Sequence, residues 1–189
     1  MYTAKNFERL IGTAGFSETL LRNHFTLYQG YVTNTNKLID MTKALLADGK
    51  TGPEYAELQR RLGWEWNGMR LHEYYFENLG GEGRLADGAL KTAIDAQYGS
   101  TDAFKTAFLA AGAMRGIGWV VLYQDPAAGM LNITWINEHD VGHLAGAKPV
   151  LVMDVFEHAF LTDYGIKRAD YLAAFWNGID WKAAQARLS

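Results

Sequence analysis

The hydrophobic pattern of the chain changes its period near residues 114–118, and this change constrains the fold more than any other feature. Before it, apolar residues recur at helical spacing. After it, residues 119–123 and 131–135 are typical of strands around an Asp125-Pro126…Gly129 turn, and residues 150–153 resemble a third strand. Helical spacing then resumes. This order predicts an α+β fold rather than alternating βαβ units.

The helical segments divide into two groups separated by glycines. Ser17 is a plausible N-cap for the first of them, and Gly81-Glu82-Gly83 is the expected linker. The predicted helices cover residues 17–46, 54–62, 64–79, 87–97 and 101–114, with a mostly helical tail over 157–187. We therefore predict an N-terminal α-helical hairpin domain, 1–82, and a C-terminal α/β domain, 83–189, with a small three-stranded antiparallel sheet.

Composition excludes several classes of protein. The 189 residues are 49% hydrophobic, enough for a substantial core, and there is no cysteine for a disulfide, a thiolate metal site or a cysteine nucleophile. A net charge of −3 without a basic run gives no support to nucleic-acid binding. The N-terminus lacks an apolar signal core, and no apolar stretch is long enough to span a membrane. We expect a soluble, cytoplasmic protein with no nucleic-acid or membrane partner.

An acid and an imidazole lie four residues apart directly after the apolar run 149–153. Asp154 and His158 can both reach one metal ion, and a carboxylate with an imidazole suits iron, manganese or zinc. A hydrogen bond or an N-cap is the alternative for a pair at this spacing. The chain supplies four more histidines for such a site: His24, His72, His139 and His143.

Two of these histidines lie on predicted helices. His72 is surrounded by aromatic residues, where only a polar partner or a metal justifies a buried imidazole. His24 and Tyr31 are seven residues apart, which on a helix leaves an offset of about 20°. Both would point into the same site, where a tyrosine hydroxyl could donate a proton or act as a gate. The alternative for Tyr31 is an aromatic core residue with its hydroxyl at the rim.

Taken together, the motifs resemble the iron/manganese superoxide dismutases from about Ser17 to Trp181. The matching blocks, in order, are His24 with 31–36, then 72–76, 116–119, 154–160 and 170–181. The resemblance implies a helical hairpin, a C-terminal α/β domain and one iron or manganese ion per chain between them. The implied metal ligands are His24, His72, Asp154 and His158, with solvent in the fifth position.

The resemblance also implies a function and two further site residues. The expected reaction converts two superoxide anions to dioxygen and hydrogen peroxide. Tyr31 would line an aromatic funnel, and Arg168 matches the family's positive residue near the entrance. The alternative for Arg168 is an ion pair with Asp170 or Asp163. Two rival interpretations are another mononuclear metalloenzyme on the same scaffold and a non-catalytic protein stabilised by zinc.

The first departure from the family concerns the spacing in the first helix. The family usually places its histidine eight residues before the tyrosine, and an ungapped alignment puts Asn23 in the ligand position. Eight residues leave an offset of about 80° on a regular helix, which a one-residue bulge would correct. We infer that this chain lacks the bulge and that His24 is the ligand.

The second departure is Gly68, which stands where many iron enzymes of the family carry glutamine. We expect the glycine to leave room for a residue of the other domain to reach the bound solvent. His139 fits this role best, His143 is the runner-up, and Glu138 is poorer because an anion repels the substrate. The alternative for either histidine is a loop residue that satisfies its own backbone. Iron and manganese share the ligand set, so the metal stays open.

The remaining departures concern the aromatic wall and the expected dimer contact. Phe156 replaces the usual tryptophan, and Leu27 and Leu161 replace a histidine–tyrosine pair that links subunits. By resemblance, Glu157 binds His158 of the partner subunit across a two-fold axis, which would orient that ligand. We therefore expect a homodimer, with a tetramer as the alternative assembly.

Overall fold

A long helical hairpin forms the N-terminal part of the protein, for which a computed structural model describes residues 1–189. Helix α1 spans Glu18–Ala47 and helix α2 spans Pro53–Glu77. Ser17 caps α1 as predicted, since its hydroxyl accepts a hydrogen bond from the Leu20 amide at 3.0 Å. The α1 helix is regular throughout, without the bulge that would shift His24.

The predicted break within the second helical segment is wrong. Residues 54–62 and 64–79 were expected as separate helices, but α2 runs continuously through Gly63. A glycine inside a helix costs only about 1 kcal/mol relative to alanine. Packing of α2 along α1 outweighs that cost, so the hairpin has two long arms.

The C-terminal part contains a three-stranded antiparallel sheet, as predicted. Its strands are β1 (Gly118–Gln124), β2 (Leu131–Asn137) and β3 (Lys148–Asp154), and the helices around it are α3 (Ala89–Tyr98), α4 (Thr101–Gly112), α5 (Leu161–Tyr164), α6 (Arg168–Asn177) and α7 (Trp181–Gln185). The strand order is β2-β1-β3, so β1 is central and fully buried. Trp119 on β1 lies opposite Ile136 on one side and Asp154 on the other.

The tail is mostly helical, as predicted. Residues 157–187 form a 3₁₀ turn, Glu157–Ala159, followed by the three short helices α5, α6 and α7. Gly165 ends α5 with a φ of +54°, a left-handed conformation that glycine adopts without strain. These turns let the chain after β3 fold back across the end of α1.

Asn78, at the end of α2, joins the hairpin to the sheet. Its side-chain amide donates to the Val152 carbonyl at 3.0 Å, and its amide oxygen accepts from the Val152 N–H at 3.0 Å. This buried pair fixes the end of α2 beside the end of β3. One hydrophobic cluster of 38 buried residues then runs through both parts, so they share a core. The boundary at residue 82 stays a prediction.

None of the helices combines the length and the apolar character that crossing a membrane requires.

Candidate metal centre

Four side chains bring their ligand atoms to one point between the two parts of the fold. These atoms of His24, His72, Asp154 and His158 all lie within 4.8 Å of one another. Oδ2 of Asp154 is 3.2 Å from Nε2 of His24, 3.1 Å from Nε2 of His158 and 3.7 Å from Nε2 of His72. Two donors each about 2.1 Å from one ion are roughly 3 to 4.2 Å apart. The three distances from Asp154 therefore fit a single metal ion.

Each candidate ligand comes from a different element. His24 lies in α1, His72 in α2, Asp154 at the end of β3 and His158 in the 3₁₀ turn that follows. Three of them are fully enclosed, and the side chain of His158 is 27% exposed. Only residues 154 and 158 are close in the sequence, so the site exists only when α1, α2 and β3 have packed together.

The ring of His72 gives an independent sign that a cation belongs here. Its Nδ1 donates to the Gly68 carbonyl at 2.6 Å, because a carbonyl can only accept. The unprotonated Nε2 is buried at the cluster and has no hydrogen-bond partner. A buried acceptor without a donor is costly, and a metal ion would satisfy it.

The ionisation states of the cluster match those of a metal-binding set. Burial lowers the pKa of His24 and, even more, that of His72, which keeps both imidazoles neutral. Burial acts to raise the pKa of Asp154, but the neighbouring His158 and His24 outweigh it and hold that pKa below its usual range. Neutral imidazoles and an ionised carboxylate are the forms that bind metals.

His139 lies beside the cluster and is fixed by two polar neighbours. The Trp119 indole donates to its Nδ1 at 3.0 Å, and its Nε2 is 2.7 Å from the Tyr31 hydroxyl. Burial lowers the pKa of His139 to about 4, so the ring is neutral. An indole can only donate, so the ring proton lies on Nε2 and points at the Tyr31 oxygen. The Tyr31 hydroxyl thus accepts from His139, and its own proton stays available.

Aromatic rings enclose the ligand cluster and His139. Tyr31 stacks on His72 with centroids 5.2 Å apart, and Phe156 stacks on His139 at 4.7 Å. Trp64 packs edge-on against His139 at 4.9 Å. Phe156 therefore keeps the wall that the family usually builds with tryptophan. Sequence reasoning missed Trp64, although its position four residues before Gly68 and eight before His72 was a usable signal.

The space beside Gly68 is occupied differently from the expectation. A Cβ atom added there would lie 2.6 Å from Cδ1 of the Tyr31 ring. The glycine was expected to leave room for a residue of the other domain, but it is the Tyr31 ring, from the same hairpin, that packs against it. Gly68 therefore sets the position of Tyr31, and His139 packs edge-on against that ring at 4.9 Å and bonds its hydroxyl.

The remaining loop candidates lie outside this group. His143 bonds the Tyr123 hydroxyl and the His139 carbonyl, both at 2.8 Å. Its ring therefore satisfies a backbone group of its own loop, which was the alternative given for a loop histidine. Glu138 makes no side-chain hydrogen bond or ion pair. Asn23 is exposed on α1, whereas the adjacent His24 is buried in the cluster.

Arg168 is bound to backbone rather than to a carboxylate. Its guanidinium donates to the carbonyls of Met114, Gly116 and Val155 at 2.6 to 2.7 Å. Neither suggested ion pair, with Asp163 or Asp170, forms. The Asp163 carboxylate instead accepts from the amide and the hydroxyl of Ser17. Arg168 is thus a fixed cation bound to the carbonyl of Val155, the residue that follows Asp154.

A helical hairpin packed on a three-stranded α+β unit, with three imidazoles and one carboxylate gathered between them, defines a protein with a mononuclear metal site. Residues 86–187 match the family described as iron/manganese superoxide dismutases, C-terminal domain. The chain belongs to the iron/manganese superoxide dismutase family.

Three relatives illustrate the similarity. Superoxide dismutase [Fe] of Saccharolobus solfataricus is 38% identical over 167 residues, covering 85% of this chain and 79% of that protein. Superoxide dismutase [Fe] of Cupriavidus metallidurans is 39% identical over 179 residues, covering 93% and 89%. Superoxide dismutase [Mn] 2 of Haloferax volcanii is 33% identical over 174 residues, covering 90% and 85%. Relatives named for iron and for manganese both match, so similarity does not choose the metal.

Proposed function

We propose that this protein disproportionates superoxide, converting two superoxide anions and two protons to dioxygen and hydrogen peroxide. The observation that carries the proposal is the convergence of three imidazoles and one carboxylate beside the Tyr31–His139 hydrogen bond. His24, His72, Asp154 and His158 would hold one iron or manganese ion. When bound, that ion supplies an alternation between trivalent and divalent states, which zinc lacks.

The surrounding residues have separate roles in this proposal. Tyr31 and His139 together hold one shared hydrogen bond and one free hydroxyl proton at the cluster, which suits delivery of a proton to the reduced product. Phe156 and Trp64 exclude bulk water from His139. Arg168 places a positive charge near the carboxylate, which favours the approach of a small anion.

The test is to load the protein separately with iron, manganese and zinc and to measure superoxide loss by each form. We expect activity with iron, manganese or both and none with zinc. The metal content of each sample is measured in parallel, because an empty site would mimic an inactive metal. Fully loaded iron and manganese forms that both fail to consume superoxide would refute the proposal.

Metal removal is expected to destabilise the fold. Without an ion, the buried Nε2 of His72 has no hydrogen-bond partner, and Oδ2 of the buried Asp154 carboxylate has only imidazole nitrogens beside it. A metal present at about 100 times its Kd stabilises the folded state by roughly 2.7 kcal/mol. We expect a strong chelator to lower the Tm in calorimetry and added manganese to restore it. An unchanged Tm after verified metal loss would contradict this expectation.

We further propose that the protein forms a dimer through the face that carries Glu157. Glu157 is exposed, and Nδ1 of His158 has no hydrogen-bond partner within the chain. The partner subunit's Glu157 is suited to accept from that nitrogen and thereby to orient the ring. Leu27 and Leu161 are 36% and 49% exposed, which supports an apolar contact where relatives use a polar pair.

Glu157→Ala is expected to weaken both the dimer and the metal site. Loss of a carboxylate that orients a ligand imidazole typically lowers metal affinity about 10- to 100-fold. Sedimentation velocity would report the assembly, including a tetramer, and competition with a chelator would report metal affinity. Glu82→Ala, at another exposed glutamate, is the matched control and should behave like the unmodified protein. Equal behaviour of the two variants would count against the contact.

A further inference from the structure

The ring of His143 ties together two parts of the loop that carries His139. Its Nε2 lies 2.8 Å from the His139 carbonyl, and its Nδ1 lies 2.8 Å from the Tyr123 hydroxyl. The carbonyl can only accept, so Nε2 carries a proton, and Nδ1 accepts a hydrogen bond from the Tyr123 hydroxyl. Burial raises the pKa of Tyr123 to about 12, which keeps that hydroxyl a donor. Both ring nitrogens are therefore used.

The backbone of this loop adopts conformations that need external support. Glu138, directly before His139, has a φ of +50° and is the non-glycine residue of the chain with positive φ. Gly142 has a φ of +111°, and a Cβ there would lie 2.6 Å from the Trp135 carbonyl oxygen. A non-glycine residue in this region costs of order 1–3 kcal/mol and persists only where its surroundings fix it. The His143 ring spans this segment and supplies one such restraint.

Strand β1 supports both the ring and the backbone of His139. Trp119 donates to the His139 ring directly, whereas Tyr123 bonds His143, which in turn bonds the His139 carbonyl. Trp119 and Tyr123 are four residues apart on one strand, so their side chains leave the same face. Both residues are buried in the core. A single rigid strand thus sets the position of His139 at two points.

We infer that His143 is a positioning residue for superoxide disproportionation, which fixes the backbone of His139 and so aims its Nε2–H at the Tyr31 hydroxyl. This inference rests on the proposed function. It gives His143 a role different from that of a direct partner of bound solvent, because both of its nitrogens are engaged with Tyr123 and His139.

The test compares His143→Leu with His143→Gln in the manganese-loaded protein. Leucine removes the donor to the His139 carbonyl, whereas the glutamine amide can donate from nearly the position of Nε2. We expect His143→Leu to retain its metal but to lose roughly 10- to 100-fold in the rate constant for superoxide loss. Its trivalent form should also show an altered visible absorption spectrum. His143→Gln should restore most of both properties.

A double-mutant cycle separates positioning from a general structural effect. In a His139→Ala background, His143→Leu should cause no further loss of rate and no further spectral change, because its target is absent. An undiminished further effect of His143→Leu in that background would overturn the inference. So would a His143→Leu protein with the spectrum and the rate of the unmodified enzyme, or glutamine and leucine variants that are equally impaired.

Tyr123→Phe keeps the inference testable if His143→Leu does not fold. It removes the donor to Nδ1 and leaves the ring in place, so a partial loss of rate with the same spectral change is expected. A Tyr123→Phe protein identical to the unmodified enzyme in rate and spectrum would overturn the inference. An unmodified protein that consumes no superoxide with either iron or manganese would instead refute the proposed function. Failure of the inference about His143 and failure of the proposed function are therefore distinguishable.

Discussion

Replacing His24 with alanine is expected to abolish metal retention and with it superoxide loss, whereas replacing Asn23 should change neither. His24 is fully enclosed, and its Nε2 lies 3.2 Å from Oδ2 of Asp154. Loss of an orienting partner alone costs roughly 10- to 100-fold in metal affinity. Loss of a direct ligand should cost more, so we expect an at least 100-fold weaker site. Metal analysis after gel filtration, together with an activity assay, would measure it.

The Asn23→Ala control matters because an ungapped alignment with the family places Asn23, rather than His24, in the ligand position. Asn23 is exposed on the same turn of α1, and both substitutions remove a polar side chain from one helix and favour the helix by similar amounts, at most about 0.7 kcal/mol each. Full metal content and activity in His24→Ala, or a specific loss in Asn23→Ala, would reverse the ligand assignment and imply a different register of α1.

Gly68→Ala is expected to displace the Tyr31 ring and to destabilise the protein, whereas Gly63→Ala is expected to stabilise it. Both glycines lie in α2, but a Cβ at Gly68 would be 2.6 Å from the Tyr31 ring, whereas a Cβ at Gly63 meets nothing within 4 Å. Overpacking costs about 1–3 kcal/mol. The higher helix propensity of alanine than of glycine stabilises the helix by about 1 kcal/mol at either position.

The two substitutions should therefore differ in sign. In urea unfolding we expect Gly63→Ala to raise the free energy of unfolding by roughly 0.5–1 kcal/mol. Gly68→Ala should lower it by up to about 2 kcal/mol, after propensity offsets part of the overpacking. Displacement of Tyr31 should also break its hydrogen bond to His139 and reduce the rate of superoxide loss. Two equally stabilised, fully active variants would show that the Tyr31 ring has room to move.

Sequence periodicity predicted the presence of the helices and strands more accurately than the residues at which they begin and end. The strands at residues 119–123, 131–135 and 150–153 were each found but are longer in the structure. The false break near Gly63 has a physical cause. Local propensity competes with packing against distant segments, and that packing is invisible in a window of a few residues.

The candidate ligands could be named before the fold was known, but their neighbours could not. Asp154 and His158 stand out by spacing, and His72 by its aromatic surroundings. Trp64 and the roles of Gly68 and His143 depend on which side chain crosses from another element. Such contacts join residues tens of positions apart, and no periodicity records them.

The sequence by itself determined the fold class, the family and the residue types that can hold a metal, because period, spacing and side-chain chemistry are local properties. Only the tertiary structure decided that His24 rather than Asn23 faces the cluster and that the Tyr31 ring fills the space at Gly68. It also decided that His139 and His143 have different partners. The physical reason is that a buried polar atom is satisfied by whichever group the packing of helices and strands brings within about 3 Å.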